Sequence, residues 1–354
     1  LKSSGHKIKT PARICLYGDH QDYLGLPVIA CAINRFITLE AQANGKDYFH
    51  ISMPDTGEER SISIYESFTE LKPRDYFGSA IRVVRSKGVD LDIGFDIIIS
   101  GNIPINSGLS SSTAVCLAWI EFLIRANSDW RPSPNELARL SHHAEVLEHG
   151  EPGGMMDQYS IAHQGVIYLD TKKPYQVTTL DVSIPGLVIG DSGIVKKTID
   201  VLREARDGQL AAIDWALKEF NKSEASELTL DLLVDVLPQL PENLRPYLRA
   251  AIGNHTITTR ALEGLNMETP DWKEIGALMN QHQVHLRDDL HVSIPALDAM
   301  ISAALEAGAL GAKLVGSGGG GCVLALAPER EEEVRQAMLD AGAVDAFSVK
   351  VVHV

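Results

Sequence analysis

The sequence predicts an α+β protein of two domains, and three observations carry that expectation. The chain has 354 residues, more than one hydrophobic core comfortably serves. Its first part alternates β-branched runs with polar turns, whereas residues 198 to 310 keep helical spacing almost throughout. The tail then returns to strand, helix, strand. The composition changes between residues 180 and 195, which divides the chain into 1–185 and 186–354, each with strands and helices of its own.

In order, "HKIKTPARICLYG" and "LPVIACAINRFITLEAQA" predict two long strands, separated by the carboxylate-rich turn "GDHQDYLG". "HISMPD" and "RSISIYE" continue as strands. "RDYFGSAIRVVRSKG" has helical spacing and stops at Gly88, a plausible C-cap. "VDLDIGFDIIISGNIP" reads as a strand pair, and a serine loop then opens an apolar helix. "SPNELARLSHHAEVLEHG" predicts a helix up to Gly150. "GVIYLDT", "YQVTTLDV" and "GLVIGDSGI" predict strands, the last ending in a polar turn. Amphipathic helices follow at 198–221, 225–235, 242–265, 271–290 and 295–307.

Hydrophobic residues make up 45% and charged residues 22%, which describes a soluble globular chain. The formal net charge of −15 argues against a nucleic-acid backbone or an anionic membrane as partner. A polyanionic ligand would need a local site of amides, a few cations and a metal. Cys15, Cys31, Cys116 and Cys322 form no CxxC pair and are expected to be reduced and mostly buried. The first residues lack an apolar signal-peptide core and no run reaches membrane-spanning length, so the expected location is the cytoplasm.

Three places could carry chemistry. "GNIPINSGLSSSTAVCLAWIEFL" runs from glycine and serines straight into an apolar helix. A helix N-terminus presents unpaired N–H groups and partial positive charge, which suits a phosphate. Gly108 permits close approach, and Ser110, Ser111 and Ser112 add hydroxyls. Plain N-capping is the alternative, but one serine suffices for that. No GK[ST] follows, so this is not a Walker A loop.

The second place is "GSGGGGC", residues 316 to 322. A flexible connection is the usual meaning of such a run. Between two buried-looking strands, a tight turn packed on the serine loop explains it better. The third place joins two segments. Arg13 lies in an apolar strand, where a cation needs a partner, and Asp157 lies in the nearly uncharged "EPGGMMDQYSIAHQG". They could form a structural ion pair or a catalytic pair. Asp19, His20 and Asp22 could bind a polyol or form a solvated Asx turn. His142, His143, His282 and His285 show no metal-ligand pattern and are expected at surfaces or helix caps; no zinc is expected.

The order of these segments resembles the GHMP kinase family. "PARICLYGDHQDYLG" is similar to the galactokinase-type "GRxNLIGEHTDYNGG", "NIPINSGLSSSTA" to "xxPxGxGLSSSAA", and "KLVGSGGGGCVLAL" to the C-terminal glycine motif. "AEVLEHGEPGGMMDQYS" is similar to the galactokinase segment ending in "GxMDQ". The resemblance implies a ribosomal protein S5 domain 2-like N-terminal domain, a ferredoxin-like C-terminal domain, and ATP and acceptor in the cleft between them. It implies Mg²⁺-dependent transfer of the γ-phosphoryl group to an alcohol.

By position, the resemblance makes Asp157 the catalytic aspartate and Arg13 the cation beside it. It puts Asn106, Ser107, Gly108, Leu109, Ser110, Ser111 and Ser112 on the ATP phosphate loop, with Ser112 and Glu145 holding the metal. Asp19, His20 and Asp22 fall where galactokinases bind sugar hydroxyls, and Asp191 faces the cleft by analogy. Gly316, Gly318, Gly319 and Gly320 form the structural glycine loop. Adenine is expected near Tyr76 and Phe77.

Mevalonate kinases carry lysine in place of Arg13 and an apolar "AVVHG" in place of "QDYLG", so a sugar is the expected acceptor, most simply at its anomeric C1 hydroxyl. Asp19 replaces a glutamate and "GDSGIVKKTID" departs from the galactokinase pattern, which leaves mevalonate or a heptose phosphate as alternatives. A non-enzymatic sugar and ATP sensor is the remote one. A monomer or homodimer is expected.

Overall fold

The computed structural model describes residues 5–195 and 198–353. The first sheet has seven strands: β1 (Gly5–Tyr17), β2 (Val28–Ala43), β3 (Tyr48–Met53), β4 (Glu58–Ser63), β5 (Phe95–Gly101), β6 (Val166–Asp170) and β7 (Gln176–Leu180). They run in the order β4-β3-β5-β2-β6-β7, with β1 paired to β2; only β3 and β5 are parallel. A second, antiparallel sheet of four strands follows, in the order β11-β8-β10-β9: β8 (Leu187–Asp191), β9 (Gly311–Leu314), β10 (Cys322–Leu326) and β11 (Asp345–Val349).

Helices α1 (Tyr76–Ser86), α2 (Ser111–Asn127), α3 (Pro134–His142) and α4 (Met156–His163) belong to the first sheet's part of the chain. Helices α5 (Thr198–Glu219), α6 (Leu230–Val236), α7 (Arg245–Leu265), α8 (Trp272–Val284), α9 (Pro295–Glu306) and α10 (Glu331–Asp340) belong to the second. Among the described residues no helix is long and apolar enough to cross a membrane.

Most elements fall where the sequence puts them. Gly88 follows α1 with φ +80°, the left-handed turn that glycine adopts without penalty. The expected strand pair at 89–104 is one strand, because Val89 to Gly94 form a connection before β5. Helix α4 was not anticipated; it is short and follows two glycines, so it shows no long apolar stripe. After α3 the chain makes one π-type turn at His143–Leu147, which carries Glu145.

One apolar core runs through both parts. It joins the inner face of the first sheet and Trp119 of α2 to Ile257, Ile275 and Leu278 of α7 and α8, and to Leu187 and Leu324 of the second sheet. Tyr17 at the end of β1 adds a hydrogen bond to the Ile275 carbonyl across that junction. All four cysteines are buried free thiols.

Strand β1 shifts register between Pro11 and Ala12 and again between Cys15 and Tyr17. Proline has no N–H to give a ladder, so the first shift falls where the chain can least pair. Arg13 lies between these two irregularities, on a stretch buried on both faces.

Candidate active site

Arg13 organises the site from inside. Its side chain is only 5% exposed, and an ion pair and a backbone carbonyl compensate the buried charge. Nε donates to Asp157 Oδ1 at 2.8 Å, and Nη1 donates to the Gly108 carbonyl at 2.6 Å. The Arg13 backbone N–H donates to the Leu109 carbonyl at 3.3 Å. Burial alone would lower the guanidinium's pKa, but the charge and hydrogen bond of Asp157, with smaller help from Asp19 and Cys15, together hold the group above its ordinary value. The Asp157 side chain is 30% exposed and opens into a cavity of about 330 Å³.

These contacts orient the loop ahead of α2. In a trans peptide the carbonyl of one residue and the N–H of the next point in opposite directions. With the Gly108 and Leu109 carbonyls turned to Arg13, the N–H groups of Leu109 and Ser110 point away from it. The Ser107 carbonyl accepts the Cys322 N–H at 2.8 Å, which turns the Gly108 N–H away from the glycine loop in the same manner.

Ser110 is the N-cap of α2 but does not cap it. It sits in the left-handed region (φ +60°, ψ +46°), and its hydroxyl donates to Asp157 Oδ2 and accepts no N–H of the helix. A non-glycine residue held there, with its capping group directed elsewhere, is the kind of strain found at functional sites. The simple capping explanation for the serine run therefore fails at the cap position itself.

The seven loop residues divide. Asn106, Gly108, Ser110, Ser111 and Ser112 line the cavity. Ser107 and Leu109 do not: the Ser107 hydroxyl donates to the Pro104 carbonyl, and Leu109 is core. Glu145 lies under the start of α2. Its Oε1 accepts from Ser112 Oγ at 2.9 Å and from Thr113 at 3.0 Å, and its Oε2 from Thr113 and Gln158, each at 2.8 Å. Burial pushes the Glu145 carboxyl up to about 7; the repulsion of Asp157 adds to this and the hydrogen bonds oppose it.

The turn after β1 forms the opposite wall. Asp22 accepts the N–H groups of Tyr23 and Met156, and both of its oxygens lie so near Gly154 that a Cβ there would meet them at 1.9 and 2.5 Å. Gly154 is thus required for Asp22 to reach its position. Burial and the nearby Asp157 raise the Asp22 carboxyl to about 6, against hydrogen bonds that lower it. His20 also lines the cavity, with its ring nitrogens 2.8 Å from the Tyr23 hydroxyl and 3.2 Å from the Ser317 carbonyl.

Two predicted acceptor ligands are corrected. Asp19 touches the cavity, but its carboxylate is turned to Lys313 and to the Gly316 N–H, so neither oxygen is presented to a ligand. Asp191 does not line the cavity: its Oδ1 accepts the Gly193 N–H at 2.9 Å, closing a strand-end turn beside β10 and β11. In the following segment, Lys196 and Lys197 lie outside the described residues.

The glycine loop is a brace. Gly316, Gly318, Gly319 and Gly320 all have positive φ, and a Cβ on Gly318 would lie 2.2 Å from the Val292 carbonyl. Of this loop Gly316 and Ser317 reach the cavity.

A second cavity of about 290 Å³ adjoins the first, sharing Arg74, Tyr76, Asn106, Ser111 and Ser112 with it. Its walls include Tyr76, Phe77, Ile103, Val115 and Trp119, an apolar slot of the kind that takes a flat ring. Arg74 and Glu151, which pair at 2.6 Å, flank the passage and were not singled out from sequence. Thr113, Gln158, Tyr23 and Lys313 were also missed. Lys313 had a visible signal, a lysine inside the apolar run "GAKLV", the same anomaly that drew attention to Arg13. Against expectation, His282 lies fully buried and stacked on Tyr17, ring centroids 6.3 Å apart.

Among the described residues no cluster of His, Cys, Asp and Glu could enclose a metal ion. Ser112 and Glu145 offer two oxygens 2.9 Å apart, which suits a hard cation that takes its other ligands from phosphate and water.

Three family descriptions match the chain: the N-terminal domain of GHMP kinases over residues 75–165, the C-terminal domain of GHMP kinases over 261–344, and a galactokinase galactose-binding signature over 2–43. A mevalonate kinase of Thermococcus gammatolerans is 30% identical over 94% of this chain and 92% of its own. A galactokinase of Thermococcus kodakarensis is 30% identical over 90% of this chain and 89% of its own. A Lactococcus lactis galactokinase crystallised with galactose superposes with a TM-score of 0.85 at 22% identity, covering 99% of this chain and 94% of that one. A mevalonate kinase structure gives 0.73 at 19% identity, covering 99% of this chain and 100% of that one.

Proposed function

The chain belongs to the GHMP kinase family and is a phosphotransferase acting on an alcohol, and from that premise we propose that its acceptor is a neutral sugar, phosphorylated by ATP at the anomeric C1 hydroxyl. Residues 1–185 would form the nucleotide-binding domain and 186–354 its partner, with the cavity between them.

The observation that carries the reading is the charge of the cavity. Asp22, Glu145, Glu151 and Asp157 line it, against Arg13 and Arg74, and each of those cations already faces a carboxylate. Such a site disfavours an anionic acceptor and suits hydroxyls, which donate hydrogen bonds to carboxylates. It also cannot take a triphosphate without a divalent cation. Magnesium, held by Ser112 and Glu145 together with the phosphates, would supply that neutralisation.

The chain's own residues then have distinct tasks. The N–H groups of 108 to 112 at the start of α2 hold the β- and γ-phosphates, and the apolar slot takes adenine. Asp22 and His20 orient the sugar. Asp157 receives the hydrogen of the attacking hydroxyl. Its two oxygens each accept one hydrogen bond, from Arg13 and from Ser110, and each keeps a lone pair for that purpose. With Arg13 already donating to this carboxylate, Asp157 chiefly positions the hydroxyl while charge develops on the transferring group.

A second reading is a mevalonate kinase, favoured by relatives of that name at 28–30% identity. Mevalonate carries a carboxylate, and among the described lining residues no cation lacks an acidic neighbour. Coupled ADP release over galactose, other neutral sugars, a sugar phosphate and mevalonate decides. Turnover with a neutral sugar is expected; turnover with mevalonate alone would overturn the sugar reading.

A further inference from the structure

The reading above leaves a fully buried lysine without a task. Lys313 of β9 has none of its surface exposed, and a buried ammonium is costly unless paired. Its Nζ lies 2.6 Å from Asp19 Oδ2 and donates to the Cys15 carbonyl at 3.2 Å and the Leu314 carbonyl at 2.7 Å. Asp19 Oδ1 accepts the Gly316 N–H at 2.7 Å. One ammonium and one carboxylate thus join the end of β1 to β9 and to the turn that follows it.

Both sides of this junction are walls of the acceptor end. His20 follows Asp19, Ser317 follows Gly316, and the His20 ring approaches the Ser317 carbonyl at 3.2 Å. Burial alone would raise the Asp19 carboxyl, but Lys313 and its neighbours outweigh burial and hold it at about 2. His282, also in this pocket of charge, is driven down to about 3 by burial and by Lys313, so it stays neutral.

Holding the two sheets together does not require an ion pair. The apolar core already crosses the junction, and the Tyr17 hydroxyl bonds the Ile275 carbonyl beside it. A buried pair of opposite charges adds little net stability over apolar groups of the same shape, while its geometry fixes one arrangement.

We propose that Lys313 is a positioning residue for the acceptor: acting through Asp19, it sets the spacing between the His20–Asp22 turn and the Gly316–Ser317 turn. The proposal rests on the reading of this cavity as a sugar kinase site, and it removes Asp19 from the residues that touch the sugar.

Steady-state kinetics with MgATP and galactose, or the panel member that the wild-type protein consumes, test it. Lys313→Met alone would leave an unpaired buried carboxylate, so the informative variant is Asp19→Asn/Lys313→Met, which removes both charges at nearly constant volume. The expected result is a folded protein whose acceptor KM rises about ten-fold while the ATP KM stays within about two-fold. A folded double variant with wild-type acceptor KM, or with both KM values raised alike, overturns the proposal. If the double variant does not fold, Lys313→Arg takes its place, keeping the charge but displacing its head, and the same split is required. Failure of both to fold marks the pair as structural and overturns the proposal as well. A wild-type protein silent on every acceptor would instead remove the kinase reading on which the inference stands.

Discussion

The loop at 106–112 and the loop at 316–321 are both rich in glycine or serine and both held in left-handed backbone conformations, yet they do opposite things. In the second loop three amides are taken. Gly316 N–H reaches Asp19, Gly319 N–H the Val292 carbonyl and Gly321 N–H the Ile194 carbonyl. In the first loop it is the carbonyls that are taken, by Arg13 and by Cys322, which leaves the following N–H groups pointing away from those partners. Composition alone does not mark an anion site. What decides is which half of each peptide the protein has already engaged.

The largest effect expected from breaking this contrast is at the first loop's carboxylate. Asp157→Asn should lower kcat by about a thousand-fold or more while leaving the Kd for MgATP nearly unchanged, read by single-turnover kinetics and calorimetry. A variant with near-normal turnover would remove Asp157 from the chemistry.

At the second loop the same size of change should appear as stability. Gly318→Ala places a Cβ against the Val292 carbonyl at φ +74°, and should cost about 3 kcal/mol in denaturant unfolding. Gly57→Ala, at φ +71° with open space around it, should cost only about 1 kcal/mol. Equal costs would mean that loop 316–321 is not a packed brace.

Ser112→Ala tests the metal assignment. It should raise the Mg²⁺ concentration for half-maximal activity by about ten-fold with the acceptor KM unchanged. An unaltered Mg²⁺ requirement would move the cation elsewhere.

The smallest effect concerns pH. The Asp22 carboxyl titrates near 6 when folded against an ordinary 3.8. Between those values the folded state keeps a proton that the unfolded state has lost, so this group's contribution makes the empty protein less stable as pH rises through the window. Acceptor binding needs the ionised form, so the acceptor KM should rise several-fold as pH falls below about 6, and Asp22→Asn should flatten that rise. A KM flat across that range in the wild type would mean that Asp22 does not meet the sugar.

Much of this was legible in the sequence because it was local. Long β-branched runs gave β1 and β2, helical spacing gave α5 to α9 within a few residues, and the serine run into an apolar helix marked the loop. Arg13 announced itself as a cation in a buried strand. What escaped was set by distant contacts. Asp19 looked like a ligand because its neighbours are polar, and only the fold brings Lys313 to it across 294 positions of chain (313 minus 19). Asp191 looked like a cleft residue because it ends a buried strand, yet its carboxylate closes its own turn. The left-handed Ser110, with its hydroxyl on Asp157, leaves no trace in the order of residues; it depends on where α4 sits.

The central claim is that peptide hydrogens at the start of α2, freed because Arg13 engages the opposite carbonyls, hold the nucleotide's phosphates. A crystal structure with a non-hydrolysable ATP analogue and Mg²⁺ tests it most directly. The β- and γ-phosphates should accept hydrogen bonds from N–H groups between 108 and 112, with none from 318 to 321. Phosphates resting on the second glycine loop, or clear of α2 altogether, would contradict it.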